Sequence, residues 1–199
     1  MSKPDSDAEP IPLSRREFLS QASLGTALLL TFTMGGCERK LTPAQARASQ
    51  LPLRILDAQA AGTLEWLGET LLPGSAQAGL AHYIDHQLAG DPADSMLMIK
   101  YLGVAAPYAD FYLSGLAGAR AAALRKFGKT PADLGPQQRT TLLTGMSAGT
   151  IDAWEGPAAP LFYFVLRGDA ADVMYGTPSG FEMLGVPYMP HIMPPAPWG

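Results

Sequence analysis

One stretch near the middle of this chain has a clear helical period, and it restricts the fold more than any other feature of the sequence. Between Pro107 and Phe127, apolar or small residues recur at intervals of three and four, the spacing of one helix face. Because several of these residues are small, the face allows a second helix to come close. The pattern predicts a closely packed helix. Its face consists of Tyr108, Phe111, Tyr112, Gly115, Leu116, Ala119, Ala122 and Ala123.

Five other segments show helical patterns, and none shows the sustained alternation of a β-strand. We therefore predict a mainly α, compact domain of five to six helices over residues 55–174, with a loop from Gly149 to Pro160. In the second segment, Asp85 falls on the apolar stripe together with Ile84. The segments run from Asp57, as N-cap, to Leu72, from Gln77 to Leu88, from Met96 to Val104, from the turn at 130–136 to Met146, and from Leu161 to about Met174.

Residues 175–199 differ in composition from the rest. Six of the chain's 18 prolines lie between Pro178 and Pro197, so we expect no regular helix there. Aromatic residues alternate with these prolines, whereas disordered tails are usually poor in aromatics. We predict an extended, irregular tail that docks on a partner. Its predicted contacts are Tyr175, Phe181, Tyr188, His191 and Trp198.

The N-terminal region reads as an export signal. Arg15 and Arg16 precede Phe18 and Leu19, and a mildly apolar stretch from Leu24 to Met34 follows. That stretch is too short to span a bilayer, which takes ~20 apolar residues. The paired arginines and weak hydrophobicity resemble a twin-arginine signal over residues 1–36. The alternative is an ordinary secretory signal that happens to carry two arginines.

Cys37, the chain's single cysteine, follows Met34-Gly35-Gly36, which resembles the motif for lipid attachment. We expect cleavage before Cys37, acylation of its thiol, and a tether over residues 37–54. The mature protein is then expected on the periplasmic side of the cytoplasmic membrane. The alternative is cleavage nearby, with Cys37 lost or left as an inert thiol.

Composition and missing motifs limit what the mature chain can bind. Its slight acidity and lack of Lys/Arg runs argue against nucleic acid as a partner. One cysteine cannot form an internal disulfide, a multi-cysteine zinc site or an iron–sulfur site. The sequence shows no Gly-rich dinucleotide loop, no C-x-x-C-H and no G-x-S-x-G. We expect no cofactor in this chain and no intrinsic catalysis.

One group of residues resembles a metal site. His82 and His86 are four residues apart, a spacing that can place two imidazoles on one metal ion. A stand-alone periplasmic lipoprotein that binds a metal through this pair is our alternative function. The other interpretation, which we prefer, is a solvent-facing or partly packed histidine pair capped by Asp85.

The remaining acidic and phenolic residues suggest no acid–base pair. We expect the carboxylates of Asp152, Glu155, Asp169 and Asp172 on the solvated surface. We expect the tyrosines to be core or groove aromatics rather than catalytic phenols. These tyrosines are Tyr101, Tyr108 and Tyr112.

Several ordered patches resemble the gluconate 2-dehydrogenase subunit 3 family. The N-terminal patches are ETLLPG at 69–74 and GLAHYIDHQL at 79–88. The middle runs from Phe127-Gly128 through Gln137-Gln138 to Leu142-Leu143. The C-terminal patches are MYGTP at 174–178 and GVPY at 185–188. Together with the leader they cover most of the chain.

This resemblance implies a non-catalytic small subunit of an exported FAD-dependent sugar or alcohol dehydrogenase. The large partner would hold FAD and oxidise the substrate, and a multihaem cytochrome c subunit, with haem c, would pass electrons onward. The small subunit would stabilise the large one and carry it through the twin-arginine translocase. The family often has Gly-Gly-Asn after Tyr-Gly, whereas this chain has Thr177-Pro178-Ser179 after Gly176.

Overall fold

The computed structural model describes residues 28–34 and 37–185, and these form a mainly helical domain, as predicted. A short antiparallel hairpin precedes the helices, formed by β1 (Leu30–Met34) and β2 (Cys37–Leu41). Within these residues, short 3₁₀ helices lie at Pro92–Asp94, Met98–Leu102 and Pro131–Asp133. The seven α-helices in the described part are α1 (Pro43–Ala48), α2 (Ala58–Leu71), α3 (Leu80–Ala89), α4 (Ala109–Phe127), α5 (Pro136–Ala148), α6 (Ala159–Tyr175) and α7 (Pro178–Met183).

The small-residue face of α4 packs against α6 in the centre of the domain. A Cβ placed on Gly115 would lie 2.5 Å from the ring of Phe162, which is fully buried on α6. The absence of a side chain at Gly115 therefore lets the two helices approach, as the sequence predicts. The predicted face is confirmed at all its positions except Phe111, which is half-buried: Tyr108, Tyr112, Gly115, Leu116, Ala119, Ala122 and Ala123 are buried.

Asp57 begins α2 as predicted, because its side chain accepts a 2.7 Å hydrogen bond from the Ala60 N–H. The predicted start of α3, at Gln77, was wrong, because the helix begins at Leu80. Gly79 has φ 90°, in the left-handed region, and the space that its Cβ would fill holds the backbone of Pro43. Because α1 approaches this closely, α3 begins only after this glycine.

Residues 37–54 are not the free tether that their composition suggests. They form β2 and α1, and α1 begins with a capping box between Thr42 and Gln45. Further along, Ala46 and Leu51 are buried in the domain. Folded structure therefore begins well before residue 55.

The region after Tyr175 also contains a helix that the proline count did not predict. Pro178 stands in the first turn of α7, where a missing N–H costs nothing, and Thr177 accepts from the Gly180 N–H. Residues 186–199 lie outside the described part of the chain. The expectation of no helix was wrong for Pro178–Met183.

Part of the predicted leader is packed in the folded domain. β1 belongs to the predicted signal, yet Leu28 and Leu30 are both buried in the core. The strands pair from Leu30 opposite Leu41 to Met34 opposite Cys37. Among the described residues, no helix is both long and apolar enough to cross a bilayer. Arg15, Arg16, Phe18 and Leu19 lie outside the described residues.

We predict that Gly115→Ala lowers the free energy of unfolding by about 1–3 kcal/mol, because the new methyl group collides with the Phe162 ring. Gly62 lies in α2 with no heavy atom within 4 Å of a Cβ position. Gly62→Ala, the matched control, should be neutral or stabilise by up to about 1 kcal/mol. Urea unfolding of both variants measures the difference, and equal effects would contradict the proposed close contact.

Candidate functional site

Asp85, on α3, fixes the segment that leads into α2. Its carboxylate accepts three backbone hydrogen bonds of 2.8 Å, from the N–H groups of Arg54, Ile55 and Leu56. The side chain is buried, so these donors replace the water that a carboxylate needs. Asp85 therefore has a structural role, and the prediction that it caps the histidine pair was wrong.

The two histidines of α3 are each bonded to a backbone carbonyl. His82 Nε2 lies 3.1 Å from the Leu51 oxygen, and His86 Nε2 lies 2.9 Å from the Thr31 oxygen. A carbonyl oxygen only accepts, so both Nε2 atoms must carry the hydrogen. His82 is buried and His86 is half-buried, which fits a packed pair better than a solvent-facing one.

The metal hypothesis is not favoured by this arrangement. Both Nε2 atoms are used by carbonyl oxygens, and the Asp85 oxygens are used by three N–H groups. Within the described ranges, no three His, Cys, Asp or Glu residues are grouped to hold a metal ion. The pair instead links α3 to the segment around Leu51 and to β1.

A cleft of about 420 Å³ lies beside these histidines. One wall is β1, through Thr31, Phe32 and Thr33, and the other is the segment 51–54. The Phe32 and His86 rings lie 4.9 Å apart between their centres. Part of the predicted leader therefore forms one side of the cleft.

Asp169, on α6, is completely buried, so the prediction of a solvated surface position was wrong. It accepts a hydrogen bond from the Tyr112 hydroxyl and one of 2.8 Å from the Met98 N–H. Burial raises the pKa of Asp169 from 3.8 to about 7, although these two hydrogen bonds act in the opposite direction. Burial and the nearby Asp169 also raise the pKa of Tyr112 well above its usual value.

The sequence contains a signal for the burial of Asp169 that the composition-based argument missed. Residue 169 falls on the apolar stripe of α6, seven positions after Phe162 and four before Val173. A carboxylate in such a stripe needs partners inside the core, and here they are Tyr112 and Met98. No substrate can reach it, so Asp169 is a structural residue.

The other acidic and phenolic residues lie mostly as expected. Asp152, Glu155 and Asp172 are exposed, as predicted. Tyr108 and Tyr112 belong to the core, also as predicted. Tyr101 does not, because 69% of its surface is exposed.

Five exposed large apolar side chains lie on α6 or on the two segments that contact it, the 3₁₀ turn Met98–Leu102 and the end of α7. We call this the α6 surface and define it as Tyr101, Leu102, Phe164, Met183 and Leu184. The 3₁₀ turn with Tyr101 and Leu102 is close to α6, because a Cβ on Gly168 would lie 2.9 Å from Met98. Phe164 is one turn before Gly168 on α6. The helix α7 packs on the other end of α6 and ends at Met183.

The α6 surface contains none of the predicted docking residues, although two of them lie on the same helices. Tyr175, the last residue of α6, and Phe181, on α7, are both half-buried. Tyr188, His191 and Trp198 lie outside the described residues. The sequence argument missed Tyr101, Leu102 and Phe164, since single apolar residues in a helical pattern do not reveal which of them remain uncovered.

A comparison with family models identifies the chain. The model described as gluconate 2-dehydrogenase subunit 3 matches residues 58–193, about two thirds of the 199 residues. The chain belongs to this family. No curated protein and no solved structure gives a significant match. The match to the subunit 3 family begins at α2 and so includes α6 and both buried aspartates.

The pKa of Asp169 leads to a test by pH. Its folded value, about 7, is above the ordinary 3.8, so the folded chain keeps a proton that the unfolded chain releases. This group therefore lowers stability as the pH rises from about 4 to about 7, and its effect is constant above that range. Asp169→Asn lacks this titration. We predict that its stability relative to wild type improves as the pH rises from 4.5 to 8.

Urea unfolding at several pH values measures this difference. Asp94→Asn, which changes an exposed carboxylate, is the control and should follow the wild-type curve. Parallel curves for Asp169→Asn and wild type would show that Asp169 is ionised in the folded protein throughout.

Proposed function

We propose that this chain is the non-catalytic small subunit of an exported FAD-dependent dehydrogenase. In this proposal it supplies the twin-arginine signal for the complex and stabilises the flavoprotein large subunit. The family match supports membership in a multi-subunit dehydrogenase. The observation that carries the proposal further is the α6 surface, where five large apolar side chains remain exposed.

The composition of the α6 surface suits a protein partner. Grouped apolar side chains on a small domain are characteristic of binding sites, because water contact with them is unfavourable. Cations lie over its aromatic rings: Lys100 Nζ is 5.9 Å from the Tyr101 ring centre, and Arg167 is 5.8 Å from that of Phe164. Aromatic residues and arginine are enriched at protein interfaces whereas lysine is depleted, so Tyr101, Phe164 and Arg167 fit such an interface better than Lys100 does.

The predicted leader supports the export part of the proposal. Twin-arginine export carries folded proteins, and this chain shows no cofactor motif that would require it to fold first. The signal makes physical sense if a flavin-bearing partner crosses the membrane in complex with this chain. Cys37, whose thiol is free and exposed, would then anchor the complex on the periplasmic side through its acyl chains. A multihaem cytochrome c subunit would accept the electrons.

The first test replaces single residues of the α6 surface and measures flavin that co-purifies with the tagged chain. We predict that Tyr101→Glu, Phe164→Glu and Met183→Glu each reduce bound flavin at least about tenfold, since a charge cannot be buried in an apolar interface. Leu124→Glu is the matched control. Leu124 is 49% exposed on α4, outside the α6 surface, and should keep wild-type flavin.

Two outcomes would contradict different parts of the proposal. Unchanged flavin in all three variants, with thermal unfolding also unchanged, would show that the interface lies elsewhere on the chain. Purification of wild-type protein as a stable monomer, without any flavoprotein, would contradict the proposed subunit role itself.

The second test concerns export. We predict that Arg15→Lys with Arg16→Lys keeps both this chain and the flavoprotein in the cytoplasm, as measured by cell fractionation. The substitution preserves the positive charge, so an ordinary secretory signal would still function. Continued export of this chain would favour that alternative, whereas export of the flavoprotein alone would contradict a shared signal.

A further inference from the structure

The hairpin of this domain lies across the expected cleavage site. β1 ends at Met34 and β2 begins at Cys37, so cleavage before Cys37 separates the two paired strands. The inference below rests on the proposed export and cleavage, because only those remove β1. β1 therefore contributes to the precursor, and its removal changes the surface of the domain.

β1 and Leu28, two residues before it, occupy a defined seat on the domain. Leu28 and Leu30 are both 6% exposed, so their side chains are almost entirely covered. Leu28 Cδ1 lies 3.5 Å from the position of a Cβ on Gly176, at the end of α6. The Thr31 oxygen accepts from His86, and Phe32 lies against the same ring. The seat therefore reaches from α3 to the end of α6.

β2 has no comparable seat. The side chains of its first four residues, Cys37–Lys40, are exposed, and its strand partner is β1. A strand without a hydrogen-bonded partner or a buried face is not stable in water. Firm attachment to the domain begins at the next segment. Thr42 caps α1, and Arg47 on α1 forms a 3.2 Å ion pair with Glu65 on α2.

We propose that β1 is a temporary element of the fold, present in the precursor and lost on maturation. While attached, it covers the apolar seat beside His86 and holds Cys37 close to the domain. Cleavage removes it and converts residues 37–41 from a strand into a tether that ends at Thr42. Five extended residues span at most about 17 Å, so the lipid would hold α1 close to the membrane surface.

Maturation also changes the surface around His86. The Nε2–H of His86 loses the Thr31 oxygen, and the cleft loses its Phe32 wall. His82 keeps its bond to Leu51, because Leu51 belongs to the retained chain. The two histidines therefore act as a reporter and its internal control: removal of β1 takes away the carbonyl partner of His86 and leaves that of His82 in place.

The test uses the full chain, with Arg15→Lys and Arg16→Lys to retain it in the cytoplasm and a protease recognition sequence inserted between Gly35 and Gly36. After cleavage in vitro, we expect the leader fragment to separate from the domain on size exclusion. Modification of His86 by diethylpyrocarbonate should accelerate at least about tenfold, with His82 unchanged, and amide exchange over 38–41 should rise by a similar factor. Exchange in α5 should not change.

A pair of variants in the uncut chain distinguishes the covered face of β1 from its exposed face. Leu30→Asp places a carboxylate in the covered seat, whereas Thr33→Asp places one at an exposed position of the same strand. We expect Leu30→Asp to show the exchange and labelling of the cut protein and Thr33→Asp to match wild type. Unfolding of the whole domain by Leu30→Asp would overturn the proposal, as would a leader fragment that stays bound with His86 protected.

Failure of this inference can be told apart from failure of the proposed function. The intact mass of protein extracted from membranes shows whether the mature chain begins at an acylated Cys37. A mass that includes residues 1–36 would contradict the proposed cleavage, while the cut protein would still report on β1. A correctly processed chain whose His86 remains protected would contradict the temporary role of β1 alone.

Discussion

The position of the α6 surface depends on one buried carboxyl group. Asp169 receives the Tyr112 hydroxyl from α4 and the Met98 N–H from the 3₁₀ turn, so a single side chain joins three elements. A buried polar group is costly unless it is satisfied, and the observed arrangement of these elements satisfies it. Tyr101 and Leu102 belong to the same turn as Met98. The carboxyl group therefore determines where these two exposed side chains lie relative to α6.

Asp85 is also a buried acidic residue whose oxygens are hydrogen-bonded, but its partners differ from those of Asp169. Three backbone N–H groups surround its carboxylate, whereas Asp169 has only one N–H and one hydroxyl. Burial raises the pKa of Asp169, and its two hydrogen bonds offset only part of that effect. Both residues hold a loop or turn in a fixed geometry. Asp85 orders the approach to α2, and Asp169 orders the turn beside α6.

The sequence predicted those features that depend on local pattern. The face of α4, the Asp57 cap and the place of Asp85 on an apolar stripe follow from helical spacing and capping chemistry, and the structure confirms them. Features set by distant segments were not predictable in this way. The start of α3 depends on Pro43 approaching Gly79, and β1 and β2 exist only because they pair with each other. The exposure of Phe164 likewise depends on which neighbours leave its side chain uncovered.

Part of the predicted leader contacts the end of α6. Leu28 covers Gly176 at the end of α6, close to where α7 begins with Met183 and Leu184 at its far end. If the partner binds in the cytoplasm, as proposed, it does so while Leu28 still covers this point. The proposed cleavage before Cys37 would then remove Leu28 and leave the apolar surface at the end of α6 open to a partner that is already bound.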